Sequence, residues 1–316
     1  MKLDLIGFGS AIIDFVPVRL GVTLSETESF VPSAGGAVAN VVVAASRLGV
    51  KSGFLGCVGD DEFGSLIIHD FKREGVDVSC LKKVKGRATG IAFYSIDRKG
   101  ERHYTFYRFP GYSDPESMFM PEDIDRDYFT GVKVLHLSEA MFRQIETREA
   151  AFKVLRTAKE YGVSISYDPN TRETLWKNKE GFFETQRKIL SFVDVFLATL
   201  KEANSIVDEQ REKETAKKIQ ALGPSTIVLR RKNHYQVYSR DQDFTIPVIK
   251  VKAIDTSGAG DAFDAGFLTG LIKNQPLDKA VLLGSAVATL KVMKLGTRSG
   301  LPTMNEAKNF LESKRK

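Results

Sequence analysis

Cysteine, histidine and tryptophan are scarce in this 316-residue chain, with two, four and one copies respectively. Cys57 and Cys80 are too few and too far apart for a metal cluster or a disulfide framework, so a reducing, cytoplasmic setting is expected. His69, His103, His136 and His234 show no metal-ligand spacing. No apolar run reaches the roughly 18 residues that a membrane helix needs. The opening MKLDLIGFGS has an aspartate inside its apolar stretch and no signal-peptide layout, so no membrane is expected as a partner. The chain lacks the G-x-x-x-x-G-K-[ST] string of a P-loop and the G-x-S-x-G elbow of hydrolases. Gly7-Phe8-Gly9 begins a dinucleotide fingerprint, but Ile12 stands at its third glycine position, which argues against an oxidoreductase. The net charge is +6, yet the lysines are scattered and the only dense basic run is Arg230-Arg231-Lys232. That distribution suits anionic small ligands and solubility, with no nucleic acid expected as partner.

What the chain does have is regular alternation. With 42% hydrophobic and 27% charged residues it can build a large core. Strand-like segments at 3–6, 51–58, 132–137, 163–167, 194–198, 226–229 and 248–254 are interleaved with helical patterns such as 37–48, 62–74 and 147–161. This predicts an α/β fold with a mostly parallel sheet covered by helices on both faces. No linker or repeat divides it, so one domain over residues 1–316 is expected. Two stretches break the rhythm: polar, β-compatible residues 18–31, and 87–109, which reads as two strands joined by Asp97-Arg-Lys-Gly. Together they predict a small separate sheet placed as a lid; an edge hairpin is the plainer reading of the second stretch.

The stretch IDTSGAGDAFDAGF, residues 254–267, carries the chemistry. Val248 to Ala253 alternate apolar and charged residues, which predicts a strand, and Ala262 onward follows a helical pattern. A tight Gly258-Ala259-Gly260 turn between them would leave backbone N–H groups at a helix N-terminus, a cradle for phosphate. Asp261 is either an ordinary acid at a helix start or a general base beside that cradle. As a base, it would take the proton from a hydroxyl attacking a γ-phosphoryl group.

Asp255-Thr-Ser-Gly-Ala-Gly-Asp261 followed by Ala-Phe-x-Ala-Gly-Phe closely resembles the C-terminal signature of the ribokinase-like (PfkB-type) carbohydrate kinases. Gly35-Gly-Ala-Val-Ala-Asn40, Ser46-Arg-Leu-Gly and Val58-Gly-Asp-Asp-Glu-Phe-Gly64 resemble the second signature. The likeness runs over nearly the whole chain and implies a ribokinase-like three-layer sandwich with a β-sheet lid. It implies an ATP-dependent sugar kinase with Asp261 as catalytic base and the amides of Gly258, Ala259 and Gly260 as anion hole. Asp14, placed at the end of the first strand, would bind sugar hydroxyls, as would Gly35, Gly36 and Asn40 of the turn.

Tyr167-Asp-Pro-Asn-Thr-Arg172 resembles fructokinases and 2-keto-3-deoxygluconate kinases. It would put Asn170 beside the phosphates and Arg172 on the phosphoryl group or an acidic substrate. Arg108 resembles the lid arginine of the same subgroups. Asp255 and neighbouring carbonyls match a monovalent cation site, implying K+ beside ATP and Mg2+. Two departures stand out. The family's N-x-x-E element is Thr199-Leu-Lys-Glu202, with Glu202 as an indirect Mg2+ ligand. The nucleotide-side glycine stretch is Leu229-Arg-Arg-Lys-Asn-His234, whose basic side chains could meet phosphates or crowd the site. The resemblance therefore implies a sugar and a nucleotide as partners, with a homodimer through the lid. A fructokinase leads; 2-keto-3-deoxygluconate kinase, nucleoside kinase and a sugar-binding regulatory module without turnover are the alternatives.

Overall fold

Short apolar strands alternate with helices along the computed structural model, which describes residues 2–98, 102–107, 115–171, 176 and 179–314. The strands are β1 (Leu5–Phe8), β2 (Ile12–Pro17), β3 (Phe30–Gly35), β4 (Ser52–Gly59), β5 (Leu81–Val84), β6 (Ile91–Ile96), β7 (Arg102–Tyr107), β8 (Val134–Leu137), β9 (Ser164–Tyr167), β10 (Val195–Thr199), β11 (Thr226–Arg230), β12 (His234–Ser239) and β13 (Asp243–Pro247). The helices are α1 (Ala37–Arg47), α2 (Glu62–Arg73), α3 (Ile145–Glu160), α4 (Lys179–Leu190), α5 (Leu200–Val207), α6 (Glu212–Leu222), α7 (Ala259–Ile272), α8 (Leu277–Val292) and α9 (Met304–Ser313).

Among the described residues, nine strands form one sheet in the order β13-β12-β11-β10-β9-β8-β1-β4-β5. The pairs from β11 through to β5 are parallel; β12 and β13 fold back antiparallel at one edge. Side chains leave alternate faces of each strand, so Leu5 packs under α1, α2, α7 and α8 while Ile6 and Phe8 pack under α3 to α6. The result is the expected three-layer α/β sandwich with the mostly parallel sheet in the middle.

A second sheet, β3-β2-β6-β7, stands apart from the first. Its outer pairs are antiparallel and β2 runs parallel to β6. The separate sheet expected from residues 87–109 is therefore present, but its other half is not 18–31. β2 and β3 supply it, and residues 18–29 between them form a connection with one 3-10 turn at Leu24–Glu26. Asp14 accordingly lies on the second strand, in the lid, rather than at the end of the first. The apolar run Ile12–Pro17 reads like a core strand in sequence because both of its faces are covered.

A second expectation also shifts. Residues 248–254 form no strand; the edge strand β13 ends at Pro247. The amides of Ile254 and Asp255 instead donate to the Val292 carbonyl at the end of α8, at 2.8 and 3.2 Å, which bends the chain off the sheet toward α7.

The lid is tied to the sandwich at one carboxylate. Asp61 caps α2 by accepting from the Gly64 amide at 2.7 Å, and it also accepts from the Thr89 amide and hydroxyl, each at 2.7 Å, just ahead of β6. Burial pushes its carboxyl up, and these donors outweigh that and hold it below the usual carboxylate value. Asp61→Ala removes a helix cap and strands the Thr89 donors, so we expect a loss of about 2–3 kcal/mol in urea-induced unfolding.

Candidate functional site

A cavity of about 1420 Å³ opens between the lid and the ends of the parallel strands. Sites for single drug-sized ligands span roughly 300–1,000 Å³, so this one has room for two substrates side by side. Asp14, Gly36, Asn40, Asn170, Glu202 and the run Gly258 to Asp261 all line it. Residues separated by more than 200 positions in sequence are thus brought to one place.

Asp261 sits in the first turn of α7, whose N-cap is Gly258 with φ of 69°. That left-handed conformation is cheap only for glycine, and it turns the chain so that the following amides begin the helix. The Ala259 amide donates to the Thr256 carbonyl at 3.2 Å, a long bond, so of the three expected anion donors this one already has a partner within the turn.

Asn40, in α1, holds the aspartate. Its Nδ2 donates to Asp261 Oδ2 at 2.8 Å. Its Oδ1 accepts from Arg298 Nε at 3.0 Å, and the Arg298 guanidinium also donates to buried Asp70 of α2. The amide cannot flip without losing both bonds, so the donor stays on Asp261. Arg298 and Asp70 lie outside the sequence motifs. A lone basic residue 37 positions beyond Asp261 (298 minus 261) gives no sequence signal of its own.

Asp14 is 5% exposed and borders the cavity from the lid side. Gly35 packs directly on its carboxylate, so that a side chain there would displace Asp14. Gly35 is thereby a spacer for the acid rather than part of the cavity wall, and Gly36 caps α1.

The basic run at 230–232 lines the cavity. Arg230 turns inward and donates to Asp168 Oδ2 and Asp264 Oδ1, both at 2.7 Å. Burial works against its charge, but the two carboxylates outweigh that and hold it protonated well above its usual range. Within this group burial drives Asp264 upward, while Arg230 overcomes burial to keep Asp168 ionised. Arg230 Nη2 lies 3.5 Å from where a Cβ on Gly260 would be, so its positive charge backs the anion cradle. Arg231 also borders the cavity and pairs with Glu212.

The Thr199 departure also resolves. Thr199 caps α5 in a reciprocal box with Glu202: the Thr199 amide and hydroxyl donate to Glu202 Oε2 at 2.9 and 2.6 Å, and the Glu202 amide to the hydroxyl at 3.3 Å. Glu202 Oε1 accepts from the Thr171 amide at 3.1 Å, tying this corner to the Asn170 turn. Asn170 has φ of 43°, and its amide donates to Asp168 Oδ1 at 3.1 Å.

Arg108 and Arg172, expected at the substrate, lie outside the described residues. Arg143, which sequence reading missed, does line the cavity and donates to Glu139 Oε1 at 3.2 Å. Among the described residues no cluster of three or more His, Cys, Asp and Glu side chains could hold a metal ion, and no helix is long and apolar enough to cross a membrane.

His136, beneath Asp168, is buried, and burial lowers its pKa to about 4, with Asp168 pulling it up and Arg230 down. An unfolded histidine titrates near 6.5, so between pH 6.5 and 4 the unfolded chain takes up a proton that the folded chain refuses. Stability therefore falls as pH drops through that window, by roughly 3 kcal/mol from this group. His136→Gln should flatten that part of the unfolding profile, measured by urea titration at a series of pH values.

Residues 2–304 match the pfkB family carbohydrate kinase. The chain is 32% identical over 323 residues to probable fructokinase-2 of Arabidopsis thaliana, covering 97% of this chain and 95% of that one. It is also 32% identical to a 5-dehydro-2-deoxygluconokinase of Clostridium perfringens, covering 99% and 94%. A double-mutant fructokinase of Vibrio cholerae O395, solved with fructose, ADP and potassium ion bound, superposes with a TM-score of 0.88 at 26% identity, covering 98% and 99%.

Proposed function

The chain belongs to the pfkB family of carbohydrate kinases, and from that premise we propose a fructokinase-like enzyme in which Asp261 is the general base. One observation carries this reading. A carboxylate at the start of α7, fixed by Asn40, shares a cavity with the buried sugar-side acid Asp14. A sugar hydroxyl placed between them would give its proton to Asp261 as its oxygen attacks the terminal phosphorus and ADP leaves. The developing charge would fall on the amides of Gly258 and Gly260, with Ala259 exchanging its long bond to Thr256 for the phosphate. Arg230 supports that charge from behind.

ATP is the proposed donor, with Asn170 beside its phosphates. Mg2+ typically keeps several waters and takes few protein carboxylates, and Glu202, which lines the cavity, fits that habit as a ligand through water. Bound there, the metal would neutralise phosphate charge. Arg172 and Arg108 are kept as proposed phosphoryl- and substrate-side residues on sequence grounds alone. The whole acts as one catalytic domain carrying its lid. Cys57 and Cys80 are free thiols, in keeping with a reducing, cytoplasmic setting.

A neutral sugar is favoured over an acidic one because the described cavity arginines are matched internally: Arg230 by Asp168 and Asp264, Arg143 by Glu139 and Arg231 by Glu212. An acidic sugar would need a guanidinium in excess. The lid also supports a homodimer. Phe15 stacks on Phe93 at 4.5 Å, Phe30 and Tyr107 pack edge-on to Phe93, and Tyr107 is 50% exposed, which leaves an aromatic face turned away from the cavity.

ADP release should rise only when sugar is added, with fructose ahead of 2-keto-3-deoxygluconate, 5-dehydro-2-deoxygluconate and nucleosides in a coupled assay. Asp261→Asn should lower kcat by about 10²–10⁴-fold with ATP binding retained. No ADP release with any sugar, together with sugar binding, would instead support a binding module without turnover. Light scattering should give twice the chain mass, and Phe93→Asp should return it to one.

A further inference from the structure

Lys291, in the last turn of α8, has no exposed surface, and its Nζ donates to the Asp255 carbonyl at 2.8 Å. Asp255 is 2% exposed, and its carboxylate is taken up by amides: Oδ1 by Ser257 and Oδ2 by Gly296, both at 2.8 Å. Burial would raise the Asp255 carboxyl; Lys291 is the largest influence holding it below its usual value, followed by Ser257. Gly300 closes the space behind, since a Cβ there would lie 2.9 Å from Lys291 Cα. A buried ammonium is costly unless oxygens surround it, so this placement is fixed by the Asp255 turn. The same turn runs straight into Gly258 to Asp261.

These are the surroundings a monovalent cation requires: a carboxylate and backbone oxygen in a dry pocket under the anion cradle. The lysine ammonium is a compact single charge of about the size of such an ion. A potassium ion does not fit beside it. It would face a like charge at low dielectric and compete for the same carbonyl, with one carboxylate to neutralise both.

We propose that Lys291 is a tethered monovalent cation that braces the Asp255–Ser257 turn beneath the phosphate cradle, so that this chain needs no bound potassium. Lys291 is a positioning residue here; it acts through the turn and touches neither substrate. The proposal concerns the same site as the kinase reading, but the turn and the ammonium can be tested without turnover.

The experiment compares purified wild type and Lys291→Ala in tetramethylammonium chloride and in KCl of equal ionic strength, by thermal unfolding and by sugar-dependent ADP release. Wild type should have the same Tm in both salts and rates within about twofold of each other. Lys291→Ala should lose about tenfold or more in rate without potassium, because the cradle loses its brace, and should regain Tm and rate in KCl or NH4Cl. If Lys291→Ala does not fold, Lys291→Ser, which also vacates the place of the ammonium, is used instead. Potassium-specific stabilisation of wild type would overturn the proposal, as would a folded variant that neither K+ nor NH4+ restores. If no sugar gives turnover, the kinase reading fails while the unfolding comparison still decides the role of Lys291.

Discussion

The hydrogen bond from Asn40 to Asp261 joins the two ends of the chain's logic. It links residues 221 positions apart, one in α1 and one in α7. Both helices pack on the same face of the sheet, so the bond exists only when the sandwich is complete. Arg298 fixes the orientation of Asn40, and Asp70 fixes Arg298 from α2. Three elements must dock before a single carboxylate is aimed. The geometry proposed for catalysis is therefore a property of tertiary packing, although Asn40 and Asp261 each belong to a short local motif.

Charge inside the cavity is balanced rather than merely positive. The +6 of the whole chain gives little idea of this, since the buried arginines meet their own carboxylates. Arg230 is shared between an ionised Asp168 and an Asp264 whose carboxyl burial keeps high. An extra proton or an extra anion would disturb that group, and His136 staying neutral prevents the first. Such a network can support developing negative charge without drawing carboxylates into the site from solution.

Much of this was legible in the sequence where chemistry is local. The glycine turn, Asp261, the α/β alternation and the two-stranded limb at 91–107 follow from short patterns whose physics is complete within a few residues. The failures have a common cause. Alternation at 248–253 suggested a strand, but a strand also needs a partner edge, and the chain is instead held at Ile254 and Asp255, whose amides go to the end of α8. Asp14 was expected at the end of the first strand, and only the pairing of β2 with β3 and β6 shows that it belongs to the lid. Asp70, Arg143, Arg298 and the ammonium of Lys291 act through contacts made across the fold, and no spacing rule announces such residues. Thr199 in place of asparagine was legible as a departure; its meaning as a helix cap needed the geometry of Glu202.

Asp14 rides on β2, and only residues 9–11 separate that strand from β1 in the rigid floor. With Gly35 and Gly36 returning the chain into α1 and Asp61 gripping Thr89, the small sheet is hinged along one line at its base. In the proposed enzyme a swing of this sheet would carry Asp14 toward or away from the acceptor alcohol, so that the gate and one jaw of the clamp would be a single part and shutting out water would coincide with gripping the sugar.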